Sequence, residues 1–222
     1  MWLADSLRDS QGIDELYASR KQNPNSSHRL THMMLWSPKI EHLSAHVGDT
    51  QTNENYFYPL WNAILADAFP EQDFAICPQY PTRPTTSGRE GAIDYAVTYL
   101  IQDTAHDDCP VFFVEIKPPT DLRYPSARAS AAAQMKERFE DLAVDLRIPK
   151  LYGISAFGRN IAFFSFDSQS RRIEPNIVAN TGAYVRDVAP ADHWSSHIMT
   201  REGRAEFLRV VGEVKMMSHS LV

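Results

Sequence analysis

Val111-Phe112-Phe113-Val114-Glu115-Ile116-Lys117 is an apolar run that ends on two charges and is stopped by Pro118-Pro119. β-branched and aromatic residues in succession read as a buried strand. Side chains two apart on a strand share a face, so Phe113, Glu115 and Lys117 point one way and Phe112, Val114 and Ile116 the other. Placing Glu115 and Lys117 near a core is costly unless they are paired or hold a cation. Just upstream, over residues 92–101, Ile93, Tyr95, Val97 and Tyr99 alternate with Asp94, Ala96 and Thr98. That alternation predicts a second strand, and the polar turn from Asp103 to Asp108 predicts that the two pair as an antiparallel hairpin. Asp94 then stands in the neighbouring strand, 21 residues before Glu115.

The remaining elements follow on either side. Residues 38–68 have helical spacing, with Phe57, Leu60, Trp61, Ile64, Leu65 and Ala68 recurring on one stripe. Pro59 suits a first turn, which puts the start of that last helix near 56–58, and Pro70 ends it. Residues 74–80 predict a strand, with Pro78 at an edge or bulge. Ser126 to Leu146 predict a helix with Ser126 as N-cap and an apolar stripe through Phe139, Leu142, Ala143 and Leu146. Strands are predicted at 151–157 and 161–166 around the turn Gly158-Arg159-Asn160. Residues 168–200 predict an irregular strand near 173–178 and a surface segment through His193-Trp194. A final helix at 203–217 would turn Phe207, Leu208, Val211, Val214 and Met217 inward. The order α-β-β-β-α-β-β-α predicts the α/β class, a mixed central sheet flanked by helices. Residues 1–35, with a short helix near 11–20, read as an N-terminal arm. Residues 36–222 read as one domain with its core at about 50–166 and an extension at 167–222.

Composition restricts the function classes. The 222 residues carry 22 basic and 28 acidic side chains, a net charge of −6, which argues against tight non-specific DNA binding through many phosphate contacts. Two cysteines, Cys77 and Cys109, form no CxxC pair, so a zinc ribbon is not expected and reduced thiols inside the cell are the simpler reading. The N-terminus lacks the apolar stretch of a signal peptide, and no run approaches the ~18 apolar residues of a membrane span. An intracellular, cytoplasmic or nuclear location is the expectation.

A carboxylate pair beside an ammonium suits holding one hard divalent cation and steering a water at a phosphodiester. The triplet alone is weak support. Glu213-Val214-Lys215 repeats it, and Asp192 precedes Glu213 by the same 21 residues. Setting separates the two. Glu213 falls in a segment of helical period, where residues two apart diverge, whereas Asp94 and Glu115 fall in adjacent predicted strands.

With Asp94, then Glu115-Ile116-Lys117, after an entry helix and before a helix carrying Gln134, residues 50–166 resemble the PD-(D/E)xK nuclease superfamily, which has the restriction-endonuclease-like fold. The resemblance implies a metal-dependent nuclease acting on nucleic acid, DNA first. It assigns Asp94 and Glu115 as ligands of Mg²⁺ (or Mn²⁺), with the Ile116 carbonyl as a third, and Lys117 as the group that holds the attacking water or meets the developing phosphorane charge. A further acid on the entry helix maps best to Glu54 and next to Glu41, and Gln134 matches a glutamine found in some members. Residue 93 is isoleucine where the family name has proline. The alternative is an inactive domain of this fold that binds a protein or nucleic-acid partner, or a second copy of itself.

Arg123, Arg128 and Lys136 are candidate phosphate contacts, beside a helix start near Ser126 whose N–H groups could face an anion. The pairs His28/His32, His42/His46 and His193/His197 have i,i+4 spacing but no HExxH, and they read as surface or capping histidines. Gly153-Ile154-Ser155 begins like a nucleophile elbow and does not complete one.

Overall fold

The computed structural model describes residues 35–80, 97–103, 109–177 and 187–221, with 97–103 described by its backbone. The chain divides between Leu35 and Trp36. The arm expected at 1–35, with its helix near 11–20, falls outside the described residues apart from Leu35. Asp94 and the first half of the strand expected at 92–101 also fall outside them.

Among the described residues the elements run α1 (Pro38–Ala45), α2 (Tyr58–Ala68), β1 (Phe74–Cys77), β2 (Val97–Asp103), β3 (Cys109–Lys117), α3 (Pro125–Leu142), β4 (Lys150–Phe157), β5 (Asn160–Asp167), β6 (Arg172–Glu174), β7 (Ser196–His197) and α4 (Arg201–His219). Short 3₁₀ turns occupy Glu54–Phe57, Pro119–Arg123 and Ala191–Trp194. Five longer strands in the order β1-β2-β3-β4-β5 are extended by the short β6, with β7 added beside β5. Among the described strands only β3 and β4 pair in parallel; the other neighbours are antiparallel. A parallel pair needs a crossover, and α3 provides it. The fold is therefore α/β, with a mixed sheet flanked by helices.

Period-two alternation in β3 sorts the core into two layers. Phe113 faces α3, where its ring meets Phe139 edge-on with centroids 5.0 Å apart. Phe112 faces the other way, 5.4 Å from Phe69 after α2 and 6.3 Å from Phe207 of α4. The small face of α3, Ala131 and Ala132 with Met135, lets that helix lie close on β4. A Cβ on Gly153 would stand 2.6 Å from Phe113 Cζ and 2.7 Å from Met135 Cε, so a side chain there would have to displace one or both.

Pro59 sits in the first turn of α2, as expected. In the 3₁₀ turn before it, the Asn53 side chain accepts the Asn55 N–H at 2.9 Å. The C-terminal helix is phased differently from the sequence reading. Its inner stripe is Gly203, Phe207, Val210, Val211, Val214 and Ser218. Leu208 is exposed, because 3.6-residue phasing from Phe207 selects Val210 and Val211 instead. Trp194, in a segment expected at the surface, is 1% exposed, the core position that is the commoner fate of such a residue. Its indole N–H donates to Ser155 Oγ at 3.2 Å, which satisfies the one polar atom that burial would orphan. Among the described residues no helix is long and apolar enough to cross a membrane.

His197 of β7 accepts the Met199 N–H at Nδ1, 3.2 Å away, which requires a neutral ring. Burial, and then the Arg159 guanidinium, hold its pKa below the ordinary 6.5, against an opposing pull from Asp49. A histidine with a lower pKa when folded than unfolded binds protons more readily unfolded. Its contribution is intact above pH 6.5 and is lost as pH falls through the folded value. The urea midpoint should therefore drop below pH 6.5 more steeply in the wild type than in His197→Asn. Parallel pH profiles would contradict this.

Candidate functional site

The carboxyl end of β3 is where the predicted site residues are to be sought. Glu115 lies between Thr98 of β2 and Ser155 of β4. It is 1% exposed and faces α3, on the same side as Phe113. Its Oε1 accepts from Arg138 Nε at 2.6 Å. Arg138 also comes within 3.9 Å of Asp141, one turn further along α3. A buried carboxylate is thus matched by a guanidinium from the helix that covers it, which removes most of the cost of burying the charge. The described partner of Glu115 is Arg138, not Lys117. Side chains two apart on a strand are separated by about 6.7 Å along it, whereas the helix overhead can place a guanidinium directly on the carboxylate.

Lys117 is half-buried at the end of the strand, and its ammonium makes no ion pair among the described residues. Its backbone is fixed more firmly than its side chain. The Lys117 carbonyl accepts from Gly158 N at 2.9 Å, where Gly158 turns the β4–β5 hairpin with φ +63°. The Gly158 carbonyl in turn accepts from Trp61 Nε1 of α2 at 3.0 Å. Ile116 lies between Val97 and Ala156, its side chain buried on the opposite face, so only its carbonyl could contribute to a site.

Glu54 begins the 3₁₀ turn that packs against β3, half-buried, with the Tyr58 hydroxyl 3.5 Å from its Oε1. Glu41 is engaged elsewhere: its Oε1 accepts the Trp36 N–H at 3.1 Å at the start of α1. Gln134 is half-buried on α3 one turn before Arg138, a spacing that puts both on one side of the helix. Asp94 lies outside the described residues. Among the described residues no group of three or more His, Cys, Asp or Glu comes together in a way that would hold a metal ion. The described part of the site therefore offers the buried Glu115, matched by Arg138, and Glu54 on the adjoining turn, and the fit to a divalent cation depends on Asp94. His42 and His46, one of the spaced pairs, lie with ring centroids 4.1 Å apart and planes tilted by 44°, and His46 Nδ1 hydrogen-bonds the His42 carbonyl at 2.7 Å.

The three basic candidates separate. Arg123 is exposed beside the site, its guanidinium 4.6 Å over the Tyr124 ring. Arg128 is a correction. It is 4% exposed and donates to the Ala189 and Leu122 carbonyls, both at 2.8 Å, and to Asp187 Oδ2 at 2.5 Å. A guanidinium buried among three acceptors ties residues 187–189 to the turn Pro119–Arg123 and is not open on the surface to a phosphate. Lys136 is exposed and pairs with Glu140 at 3.7 Å. It faces a cleft lined by Arg171 and Arg172, against β6. Three strand spacings, about 14 Å, separate β6 from β3.

The second acid-x-Lys triplet resolves as a helix face. Glu213 on α4 accepts from the Tyr152 hydroxyl and from Arg209. Burial and the Glu213 carboxylate push the Tyr152 hydroxyl up to about 12. Lys215 lies 6.0 Å from the Phe69 ring centroid.

Arg138 and the Ser155–Trp194 pair were not singled out from the sequence. The one local signal was that Arg138 follows Gln134 by four. Comparison with family models, with curated proteins and with solved structures finds no match to this chain.

Proposed function

We propose that this chain is a divalent-metal-dependent phosphodiesterase with a restriction-endonuclease-like fold, acting on nucleic acid, DNA first. The observation that carries the reading is the setting of β3. It is an inner strand, antiparallel to β2 and parallel to β4, and it presents Glu115 and Lys117 on one face at its carboxyl end. Thr98 of β2 stands opposite Glu115, and the contribution of Asp94 rests on the sequence resemblance.

Asp94 and Glu115 would hold Mg²⁺ or Mn²⁺. When bound, such an ion polarises a phosphate and lowers the pKa of its water. Lys117 would position that water or meet charge developing on the phosphate, from a site where the chain leaves its ammonium unpaired among the described residues. Glu54 would add charge from the adjoining turn. Arg138 holds the Glu115 carboxylate in place.

A second reading, a binding module of the same fold without catalysis, is favoured by the Glu115–Arg138 pair. An arginine 2.6 Å from the carboxylate supplies the positive charge a metal would otherwise bring. Digestion of DNA and RNA with Mg²⁺ or Mn²⁺, by wild type beside Glu115→Ala and Lys117→Ala, decides between them. Metal-dependent cutting lost in both variants is the expected result, whereas a wild type that cuts neither polymer leaves the binding module.

A further inference from the structure

Tyr56 and Tyr124 are 57% and 46% exposed, and both stand on turns beside the strand that ends at Lys117, one packed against it and one following it. The other exposed large hydrophobic residues among those described, Val144, Leu208 and Met216, are aliphatic. Tyr56 stands in the turn Glu54–Phe57, and Tyr124 directly follows the turn Pro119–Arg123. Two contacts bring these turns together. Thr120 Oγ1 donates to the Gln51 carbonyl at 3.3 Å. Phe57 Cζ and Pro119 Cβ lie 2.9 and 3.0 Å from the place where a Cβ on Gly158 would sit. Gly158 is the residue whose N–H holds the Lys117 carbonyl. Two solvent-facing phenol rings, the Arg123 guanidinium over one of them and the Lys117 ammonium are thus anchored to one end of the sheet.

Exposed aromatic rings interleaved with cations are the elements of a base-stacking platform: rings take base faces and cations take phosphates. Charge decides which form of nucleic acid suits it. The chain is at −6, and the two cations of the rim share it with Glu54 and Asp121. Counterion release from so few contacts supplies little affinity, so base contacts must supply the rest. In a duplex the base faces are stacked on one another, whereas in a single strand or a frayed end they are open.

We infer that the rim of Tyr56, Tyr124, Arg123 and Lys117 binds unpaired nucleotides, with bases stacked on the two tyrosines and phosphates on the two cations. This makes single-stranded or frayed nucleic acid the substrate class of the proposed phosphodiesterase, and it rests on that reading for its catalytic meaning. Binding can be tested apart from catalysis. Fluorescence anisotropy would follow a labelled ten-nucleotide thymidylate, alone and in duplex with its complement, in EDTA. The single strand should bind more tightly than the duplex, and Tyr56→Ala and Tyr124→Ala should each weaken it roughly fivefold to 100-fold. Tyr56→Phe and Tyr124→Phe should bind like wild type. The slope of log K against log salt should be shallow, about −1.4 for two phosphate contacts on a single strand.

Duplex held as tightly as single strand, alanine variants that bind like wild type, or no binding of either would each overturn the inference. A wild type that binds through the tyrosines yet never cuts would remove the phosphodiesterase and leave the platform. One that cuts duplex, with the tyrosine variants unimpaired, would do the reverse.

Discussion

Lys117→Ala is expected to lower the rate of metal-dependent cleavage by about 10²- to 10³-fold, the usual loss when one preorganised group aimed at developing charge is removed. Stability should change by less than about 0.5 kcal/mol, because the side chain is half-buried and makes no ion pair among the described residues. That separation is the informative part. The Lys117 carbonyl, which anchors Gly158, is a backbone group and survives the substitution. Lys117→Arg should recover little, since a planar fork does not replace a compact ammonium. Single-turnover cleavage with thermal melts on the same samples tests both halves. An alanine variant that cuts at the wild-type rate would remove Lys117 from the chemistry. One that melts much earlier would make it a structural residue.

Arg138→Met should destabilise the fold by about 3 kcal/mol, for the opposite reason. The substitution leaves Glu115, with its side chain 2% exposed, without the guanidinium 2.6 Å away. Breaking a buried pair from one side strands a charge in a poorly solvated place and typically costs about 3–5 kcal/mol. The lower end is expected here because the Arg138 side chain is 18% exposed, so water can reach the gap. Replacing both residues with methionine should recover most of the loss, as apolar substitutes for a buried pair are often neutral. Urea midpoints for the two single variants and the double variant give the coupling. An Arg138→Met midpoint equal to the wild type would mean that Glu115 does not depend on its arginine. The binding-module reading would then lose the observation that favours it.

The elements were legible in the sequence because their signals are local. Alternation in Val111–Lys117 set which side chains share a face, and Pro118-Pro119 marked where the strand stops. The helical stripe of residues 57–68 and the turn at Gly158 were readable in the same way. The two acid-x-Lys triplets were separable by period alone, and Glu213 does lie on a helix. Where the reading went astray, a contact between distant residues decided the outcome. Arg128 looked like a surface cation on a helix. It is buried because Ala189, 61 residues later, returns a carbonyl to its Nε. The segment through Trp194 looked like surface, and it is Ser155, 39 residues earlier, that supplies the acceptor for the buried indole. Leu208 lost its inward place to Val210 because the rotation of α4 is set by what it packs against, Phe112 and Trp36 meeting Phe207.

By itself the sequence determined the class of fold, an α/β domain around a mixed sheet, and placed Glu115 and Lys117 on one face of a strand. Both follow from periodicity, which acts over a few residues. Only the tertiary structure decided what neutralises Glu115. Sequence proximity pointed to Lys117, two residues away. Packing of α3 across β3 brought Arg138, 23 residues away, to 2.6 Å. A buried carboxylate is matched by whichever cation the packed layers bring within hydrogen-bonding distance, and that depends on how a helix crosses a sheet, which no local pattern records.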